Sequence, residues 1–164
     1  MLDLIKSRRS IRKFTSKEVE EEKLKQIIES GIWAPSGLNN QPWRVAIIKD
    51  KEIKGKLSTF TRYGKIIEDS DVCIVVFLDN GSSYNRVKDI QAIGAFLQNI
   101  LLSAHYLGLG AVWLGEILNN RDKVERLLNV PKEYELMAVV ALGYPAESPK
   151  SSRKSVDEII FLRK

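Results

Sequence analysis

Three arginines and a serine lie close together near the start of the chain, in the segment Arg8–Arg12. Arg8, Ser10 and Arg12 alternate, so they share one side of an extended chain, and Arg8 and Arg12 also share one face of a helix. A guanidinium group keeps its charge and binds phosphate oxygens in pairs. The segment therefore predicts a phosphate-binding site; a solvated basic stretch, which would include Arg9 and Lys13, is the alternative.

A second polar segment, Ala34–Trp43, contains two prolines. Because proline biases the residue before it away from helix, we expect Ala34 and Gln41 to be extended. The side chains of this loop include hydroxyl and amide groups that both donate and accept hydrogen bonds, namely Ser36, Asn39, Asn40 and Gln41. Such groups suit the edge of a planar heterocycle, whereas an ordinary helix-to-strand connection is the alternative.

Taken together, these segments resemble the motifs of the flavin-dependent nitroreductase family. The family's Arg-x-Ser-x-Arg/Lys segment corresponds to Arg8–Arg12, and its Pro-Ser-x-x-Asn-x-Gln-Pro-Trp loop corresponds to Pro35–Trp43. Two weaker features follow in the same order, the glycine-rich segment Gly108–Glu116 and the basic segment Ser151–Lys154. The resemblance therefore covers nearly the whole chain.

The resemblance implies an α+β fold of three layers, in which a mostly antiparallel or mixed sheet lies between helices. It also implies a homodimer whose C-terminal segment is exchanged between subunits. The cofactor would be FMN, the electron donor NADH or NADPH, and the acceptor a nitroaromatic, a quinone or a similar flat electrophile. Donor and acceptor would use the same pocket in turn, which gives ping-pong kinetics.

Site residues follow from the same resemblance. The phosphate would be held by the Arg8–Arg12 segment, with Arg153 and Lys154 closing over it from the tail. The backbone of Leu114–Glu116 would approach flavin N5, and Lys65 would supply a cation near the pyrimidine edge. The full set of predicted cofactor-binding residues is Arg8, Arg9, Ser10, Arg12, Pro35, Ser36, Asn39, Gln41, Lys65, Leu114, Gly115, Glu116, Arg153 and Lys154. No catalytic side chain is predicted, because the flavin carries the chemistry.

Three arginines around one phosphate monoester favour FMN over FAD. The runner-up function is a branch of the same family with another task, such as reductive dehalogenation or flavin cleavage. A flavin carrier or sensor without turnover is the alternative outside the enzymes.

The composition of the chain argues against several other classes of protein. The 164 residues, 44% of them hydrophobic, suit one domain spanning residues 1–164. The net charge of +5 falls short of a nucleic-acid signature. The lone Cys73 excludes an intrachain disulfide, and no apolar window has the length of a spanning helix, about 20 residues, so we expect a cytoplasmic protein with no membrane partner. With His105 as the only histidine, a zinc site or a hydrolase triad has no sequence support.

The elements that must position these residues follow from hydrophobic spacing and capping signals. Thr15 with Glu18 predicts a capping box that opens a helix lasting to Gly31. Further predicted helices are Ile53–Leu57, Lys88–Leu107 and Asn120–Leu128, and predicted strands are Trp43–Ile48, Asp71–Leu78, Ala111–Leu114 and Leu136–Leu142.

The helix Lys88–Leu107 is apolar around most of its circumference, which indicates burial on nearly all sides. We therefore predict that it lies near the interface of a homodimer; a central helix wrapped by its own sheet is the alternative. The apolar end Ile159–Phe161 is predicted to add a strand to a sheet edge of the partner.

Overall fold

A four-stranded antiparallel sheet forms the centre of the structure, a computed structural model that describes all residues from Met1 to Lys164. Its strands are β1 (Trp43–Ile48), β2 (Val72–Asp79), β3 (Gly110–Leu114) and β4 (Tyr134–Gly143), in the spatial order β1-β2-β4-β3. Every residue of β2 is buried. A central strand without a solvent face requires helices on both sides of the sheet.

The structure has seven helices. They are α1 (Leu2–Ser7), α2 (Glu21–Ile32), α3 (Lys51–Ser58), α4 (Gly64–Asp69), α5 (Arg86–Tyr106), α6 (Arg121–Leu127) and α7 (Val156–Ile159), the last of which lies in the exposed C-terminal tail. Two short 3-10 turns, Gly37–Asn39 and Glu116–Asn120, follow α2 and β3. None of these helices combines the length and the apolarity needed to cross a membrane.

Helices α2 and α5 cover one face of the sheet. Phe96 of α5 is fully buried and stacks on Trp43 of β1, with 5.4 Å between ring centroids. Gly31 allows the backbone of α2 to lie close to Phe96, because a Cβ at this position would be 2.5 Å from Cε2 of Phe96. Helices α3, α4 and α6 cover the other face. The residues that they bury against it include Leu57, Ile67 and Val124. The predicted three-layer α+β fold is confirmed.

The long helix α5 lies within two residues of its predicted bounds. Asn85 caps it, since the Asn85 side chain accepts a hydrogen bond from the backbone N–H of Lys88. One side of α5 packs into the core, but Ile90 is 40% exposed and a Cβ at Gly94 would meet no atom within 4 Å. The helix is therefore not wrapped completely by its own chain.

The predicted start of α2 is wrong. The helix begins at Glu21, because the backbone N–H groups before it are bound elsewhere in the fold. The N–H of Thr15 donates to the carbonyl of Tyr144, and the N–H of Val19 donates to the carboxylate of Asp71. These long-range bonds hold the segment outside the helix.

Three helices, α1, α4 and α7, were not predicted from the sequence. The C-terminal segment is exposed throughout residues 151–164 and contains the single helical turn α7, capped by Ser155. Within one chain Ile159–Phe161 pairs with no strand. Its addition to a partner's sheet stays a prediction.

Candidate active site

The arginine segment is attached to the free edge of the sheet. Ser10 forms a parallel bridge with Ala111 of β3, and the N–H of Ile11 donates to the carbonyl of Ala111 over 3.1 Å. Ile11 is buried against Gly110, where a Cβ would lie only 2.7 Å from Ile11 Cγ2. This anchoring fixes the residues on either side of Ile11 at the start of β3.

A cavity of about 210 Å³ lies over this segment. Its lining residues are Arg8, Arg9, Ser10, Arg12, Pro149, Lys150, Ser151 and Arg153. No carboxylate lines the cavity, and none of its four arginines forms an ion pair. The pKa of Arg8 is lowered by burial first, and then by the positive charges of Arg153 and Arg9. An anion would relieve this repulsion.

Most of the predicted phosphate ligands are thus brought together by the fold. Arg8, Arg9, Ser10 and Arg12 meet Arg153 of the tail, although about 140 residues separate them in sequence. Lys154 does not line the cavity, whereas Lys150 does. Sequence reasoning missed Lys150, although a basic residue next to Ser151 was available as a signal.

The arginine segment is also tied to the end of α5. Ser7 Oγ lies 2.9 Å from His105 Nε2, a contact that sequence spacing could not indicate. The pKa of His105 is lowered by burial first, and then by the charges of Arg8 and Arg9. The imidazole is therefore disposed to be neutral beside the arginines.

At the other end of β3 lies the predicted N5-binding segment, Leu114–Glu116. The Glu116 carboxylate accepts hydrogen bonds from Thr61 Oγ1 over 2.5 Å and from the N–H of Arg62 over 3.2 Å. The Thr61 hydrogen bond is the main reason that the pKa of Glu116 is lowered. Three strand steps separate Ala111 from Leu114, about 10 Å at ~3.3 Å per residue. The arginine cavity and this segment therefore lie along one edge strand.

The proline-bracketed loop has an unusual backbone. Leu38, Asn39 and Gln41 have positive φ angles of 54°, 54° and 47°, a region that costs non-glycine residues free energy. The expectation that Gln41 is extended is wrong, because its N–H turns back to donate to Ser36 Oγ over 3.1 Å. The side chains of Asn39 and Gln41 are exposed.

Asn40 fixes this loop to the start of α5. Its side-chain amide donates to the buried carboxylate of Asp89 over 2.8 Å and to the carbonyl of Ser82 over 3.1 Å. Asp89 and His105 are sixteen residues apart on α5, which corresponds to about 24 Å of helix at ~1.5 Å per residue. One chain therefore holds the polar loop and the arginine cavity near opposite ends of α5.

Lys65 is likewise not brought to the arginine cavity. It lies exposed on α4, where its ammonium forms an ion pair with Asp69 over 2.6 Å. That hydrogen bond raises the pKa of Lys65. A contact between Lys65 and a flavin stays a prediction.

Comparison with known proteins identifies the family of this chain. A model of the nitroreductase family matches residues 5–63 and 60–144. The crystal structure of a protein assigned as a nitroreductase from Desulfovibrio desulfuricans, in complex with FMN, superimposes with a TM-score of 0.96, at 46% identity and with 99% of this chain and 96% of that chain covered.

Two sequence relatives extend the comparison. A protein of Methanothermobacter thermautotrophicus assigned as an NADH dehydrogenase/NAD(P)H nitroreductase is 38% identical over 154 residues, which cover 91% of this chain and 79% of that protein. The iodotyrosine deiodinase of Thermotoga neapolitana is 27% identical, with 95% of each chain covered. The chain belongs to the nitroreductase family.

Proposed function

We propose that this protein is an FMN-dependent oxidoreductase that takes hydride from NADH or NADPH and passes it to a flat electrophilic acceptor such as a nitroaromatic or a quinone. The observation that carries the proposal is the cavity over Arg8–Arg12, where the guanidinium groups of four arginines form no ion pair. The solved relative from Desulfovibrio desulfuricans, which matches nearly all of this chain, is bound to FMN. The relative from Methanothermobacter is assigned as an NAD(P)H nitroreductase.

The residues present fit a phosphate monoester. Arg8, Arg12 and Arg153 offer forked donors that match phosphate oxygens, and Ser10 adds a hydroxyl donor. The pKa of Arg8 is lowered by burial first and then by Arg153 and Arg9, and a phosphate group would offset the charges of these two arginines. A cavity of about 210 Å³ suits one phosphate group better than the pyrophosphate and adenosine of a dinucleotide.

Each part of the chain has a separate task in this proposal. Bound FMN supplies the redox chemistry by accepting hydride from the donor and giving it to the acceptor. The arginine cavity holds the phosphate and fixes its orientation. The segment Leu114–Glu116 lies along the same edge strand, at a distance suited to the ring system, and the Thr61–Glu116 hydrogen bond keeps it in place.

A homodimer completes the site. The loop Pro35–Gln41 presents exposed amides near one end of α5, about 24 Å of helix away from the contact between Ser7 and His105. One small cofactor cannot contact both parts of a single chain at this separation. We therefore assign the arginine cavity to one subunit and the polar loop to its partner, across a two-fold axis.

The exchange of the C-terminal segment has a structural basis on the other side of the molecule. The edge strand β1 borders a groove whose apolar residues are Leu24, Ile28, Ile32 and Ile47, and whose charged residues are Glu21, Lys25 and Glu29. The exposed residues Ile159, Ile160 and Phe161 match its apolar residues in character. We expect the tail of the partner to fill this groove, and a dimer structure with each tail on its own chain would contradict the exchange.

Two alternatives differ in what they predict. Reductive dehalogenation is favoured only by the likeness to the Thermotoga deiodinase, and release of halide from a halophenol by the reduced protein would support it. A flavin carrier or sensor would bind FMN but would not be bleached by NADH or NADPH without oxygen. A location in the cytoplasm stays a prediction of the sequence.

Absorbance spectroscopy tests the main proposal. We expect the purified protein to carry flavin that is released as FMN and bleaches when NADH or NADPH is added without oxygen. Absence of flavin binding after reconstitution would refute the proposal, and bound FMN that neither donor reduces would favour a carrier.

The variant Arg12→Ala tests the phosphate site within this proposal. Loss of charge-assisted hydrogen bonds should raise the Kd for FMN roughly 10- to 100-fold, measured by quenching of flavin fluorescence. Arg126→Ala is the control, because Arg126 is an exposed arginine of α6 outside the cavity. Equal FMN affinity in Arg12→Ala and wild type would argue against the phosphate assignment.

A further inference from the structure

The connection between α3 and α4, residues Thr59–Tyr63, is held rigidly beside the segment Leu114–Glu116. Asn120 donates its side-chain amide to the carbonyl of Phe60 over 2.9 Å. Glu116 accepts from Thr61 Oγ1 and from the N–H of Arg62. Both ends of the turn Glu116–Asn120 are thus hydrogen-bonded to this connection, which we call the Thr59–Tyr63 loop.

A glycine closes this loop on its other side. The N–H of Gly64 donates to the carbonyl of Thr61 over 3.2 Å. A Cβ at Gly64 would lie 2.3 Å from the carbonyl oxygen of Ser58, so no other residue allows this close approach. The backbone position of Arg62 is therefore determined from both sides.

The guanidinium of Arg62 is exposed and unpaired. It forms no ion pair, although the positive charge contributes to the lowered pKa of Glu116. Its Cζ lies 5.1 Å from the ring centroid of Tyr63, so the aromatic ring limits the positions that the side chain adopts. Arg62 thus combines a fixed backbone, a restricted side chain and a free charge.

Lys65, the cation predicted for this region, lacks these properties. Its ammonium is paired with Asp69, and its side chain is 78% exposed. Of these two cations, only Arg62 is hydrogen-bonded through its backbone to the predicted flavin segment. A ligand that stacks on a flavin beside Leu114–Glu116 would meet this charge at its rim.

From this geometry we infer that Arg62 is a specificity-determining residue, which binds an anionic group, carboxylate or phosphate, on the substrate that occupies the open face of the flavin. The inference rests on the proposed function, because it places the substrate by the predicted flavin site. A guanidinium whose positions are limited before binding pays a smaller ordering cost when it binds a planar carboxylate in the bidentate geometry. Neutral acceptors of the same shape gain nothing from it.

Paired acceptors test this inference in the FMN-loaded protein. 4-Nitrobenzoate and 4-nitrobenzamide have nearly the same shape and differ in charge. In Arg62→Gln we expect kcat/KM for 4-nitrobenzoate to fall on the order of 10-fold, between the effects of an exposed ion pair and of a charged hydrogen bond. The value for 4-nitrobenzamide should stay within about twofold of wild type, and Arg62→Lys should recover part of the loss.

A second readout does not depend on turnover. Benzoate and benzamide should perturb the absorbance of the oxidised, FMN-loaded protein, and Arg62→Gln should weaken only the binding of benzoate. Arg126→Gln is the matched control, because it removes an exposed arginine from α6 without touching the Thr59–Tyr63 loop.

The electron donors distinguish the two sources of an anionic group. A selective loss for NADPH over NADH in Arg62→Gln would assign Arg62 to the extra phosphate of the donor, whereas a selective loss for nitrobenzoate assigns it to the acceptor. Equal effects on charged and neutral partners, or loss of FMN from the variant, would overturn the inference. Failure of the wild-type protein to bleach with either donor would instead refute the proposed function.

Discussion

His105, near the end of α5, forms a hydrogen bond with Ser7, the residue that precedes the arginine segment. Burial and the charges of Arg8 and Arg9 lower the pKa of His105 below its ordinary value of 6.5. Below about pH 6.5 the unfolded chain therefore binds a proton that the folded chain still excludes. The free energy of unfolding should fall as the pH drops from 6.5 towards the lowered pKa, and this term is absent above 6.5.

The variant His105→Gln tests this dependence. Glutamine keeps a partner for Ser7 but does not titrate, so the flavin-free variant should lose less stability than wild type between pH 7.5 and pH 5.5. Urea unfolding at the two pH values gives the comparison. Identical losses of stability in both proteins would show that other titratable groups determine the stability at acid pH.

For single residues, the sequence predicts the burial of a side chain better than it predicts the partners of its hydrogen bonds. Cys73 lies within the predicted strand Asp71–Leu78, and the structure leaves it with no exposed surface, so that burial raises the pKa of its thiol to about 11. The pairing of Glu116 with Thr61 and Arg62 could not be predicted, because it depends on how two loops 54 residues apart meet. Local spacing carries no information on such a contact.

Helix α5 makes a prediction at the scale of elements. Gly94 lies on its open side, where a partner helix could approach closely and a larger residue would block it. Gly94→Leu should therefore shift the protein from the mass of two chains to that of one, measured by light scattering after gel filtration. Within one chain the same change should stabilise the helix by about 1 kcal/mol, since leucine favours helix over glycine.

Gly55 of α3 is the matched control, because its Cβ position is also free of neighbours. Gly55→Leu should gain the same helix stability and remain a dimer. A wild-type protein of one-chain mass, or a dimeric Gly94→Leu, would exclude the packing of α5 against α5.

Elements were predicted well where apolar residues dominate the segment. The bounds of β1 were predicted without error and those of α5 to within two residues. The start of α2 failed because Thr15 and Val19 are bound by Tyr144 and Asp71, which lie far away in sequence. A capping pattern cannot register competition from distant hydrogen-bond acceptors.

For the whole molecule, a site shared between subunits makes a prediction that a site within one chain does not. Arg12→Ala damages the cavity, and Asn39→Ala with Gln41→Ala damages the loop, so each variant should lose flavin alone. A heterodimer of the two, isolated with two affinity tags, should contain one intact site by two-fold symmetry. Flavin bound to one of its two sites is the expected result.

The opposite result is equally clear. A heterodimer that binds no flavin would show that the cavity and the loop of the same chain act together, because every site would then contain one damaged part. Homodimers of each variant give the baseline for flavin binding.

The fold class and the grouping of Arg8–Arg12 with Arg153 followed from the motifs and the resemblance that they carry. The distance between the cavity and the Pro35–Gln41 loop did not. It depends on the antiparallel order of the sheet and on the length of α5, which set the two motifs near opposite ends of this helix within one subunit. Sequence order alone made them look like neighbours.

The crowded guanidiniums of the cavity also make the choice of buffer a matter of consequence. Inorganic phosphate or sulfate carries the same oxygens as the cofactor's terminal group and will compete for Arg8, Arg12 and Arg153. Melting temperatures of the flavin-free chain will rise in such buffers, while affinities for FMN measured there will come out too weak. Preparations made in a buffer of bulky, weakly coordinating anions will show the true values.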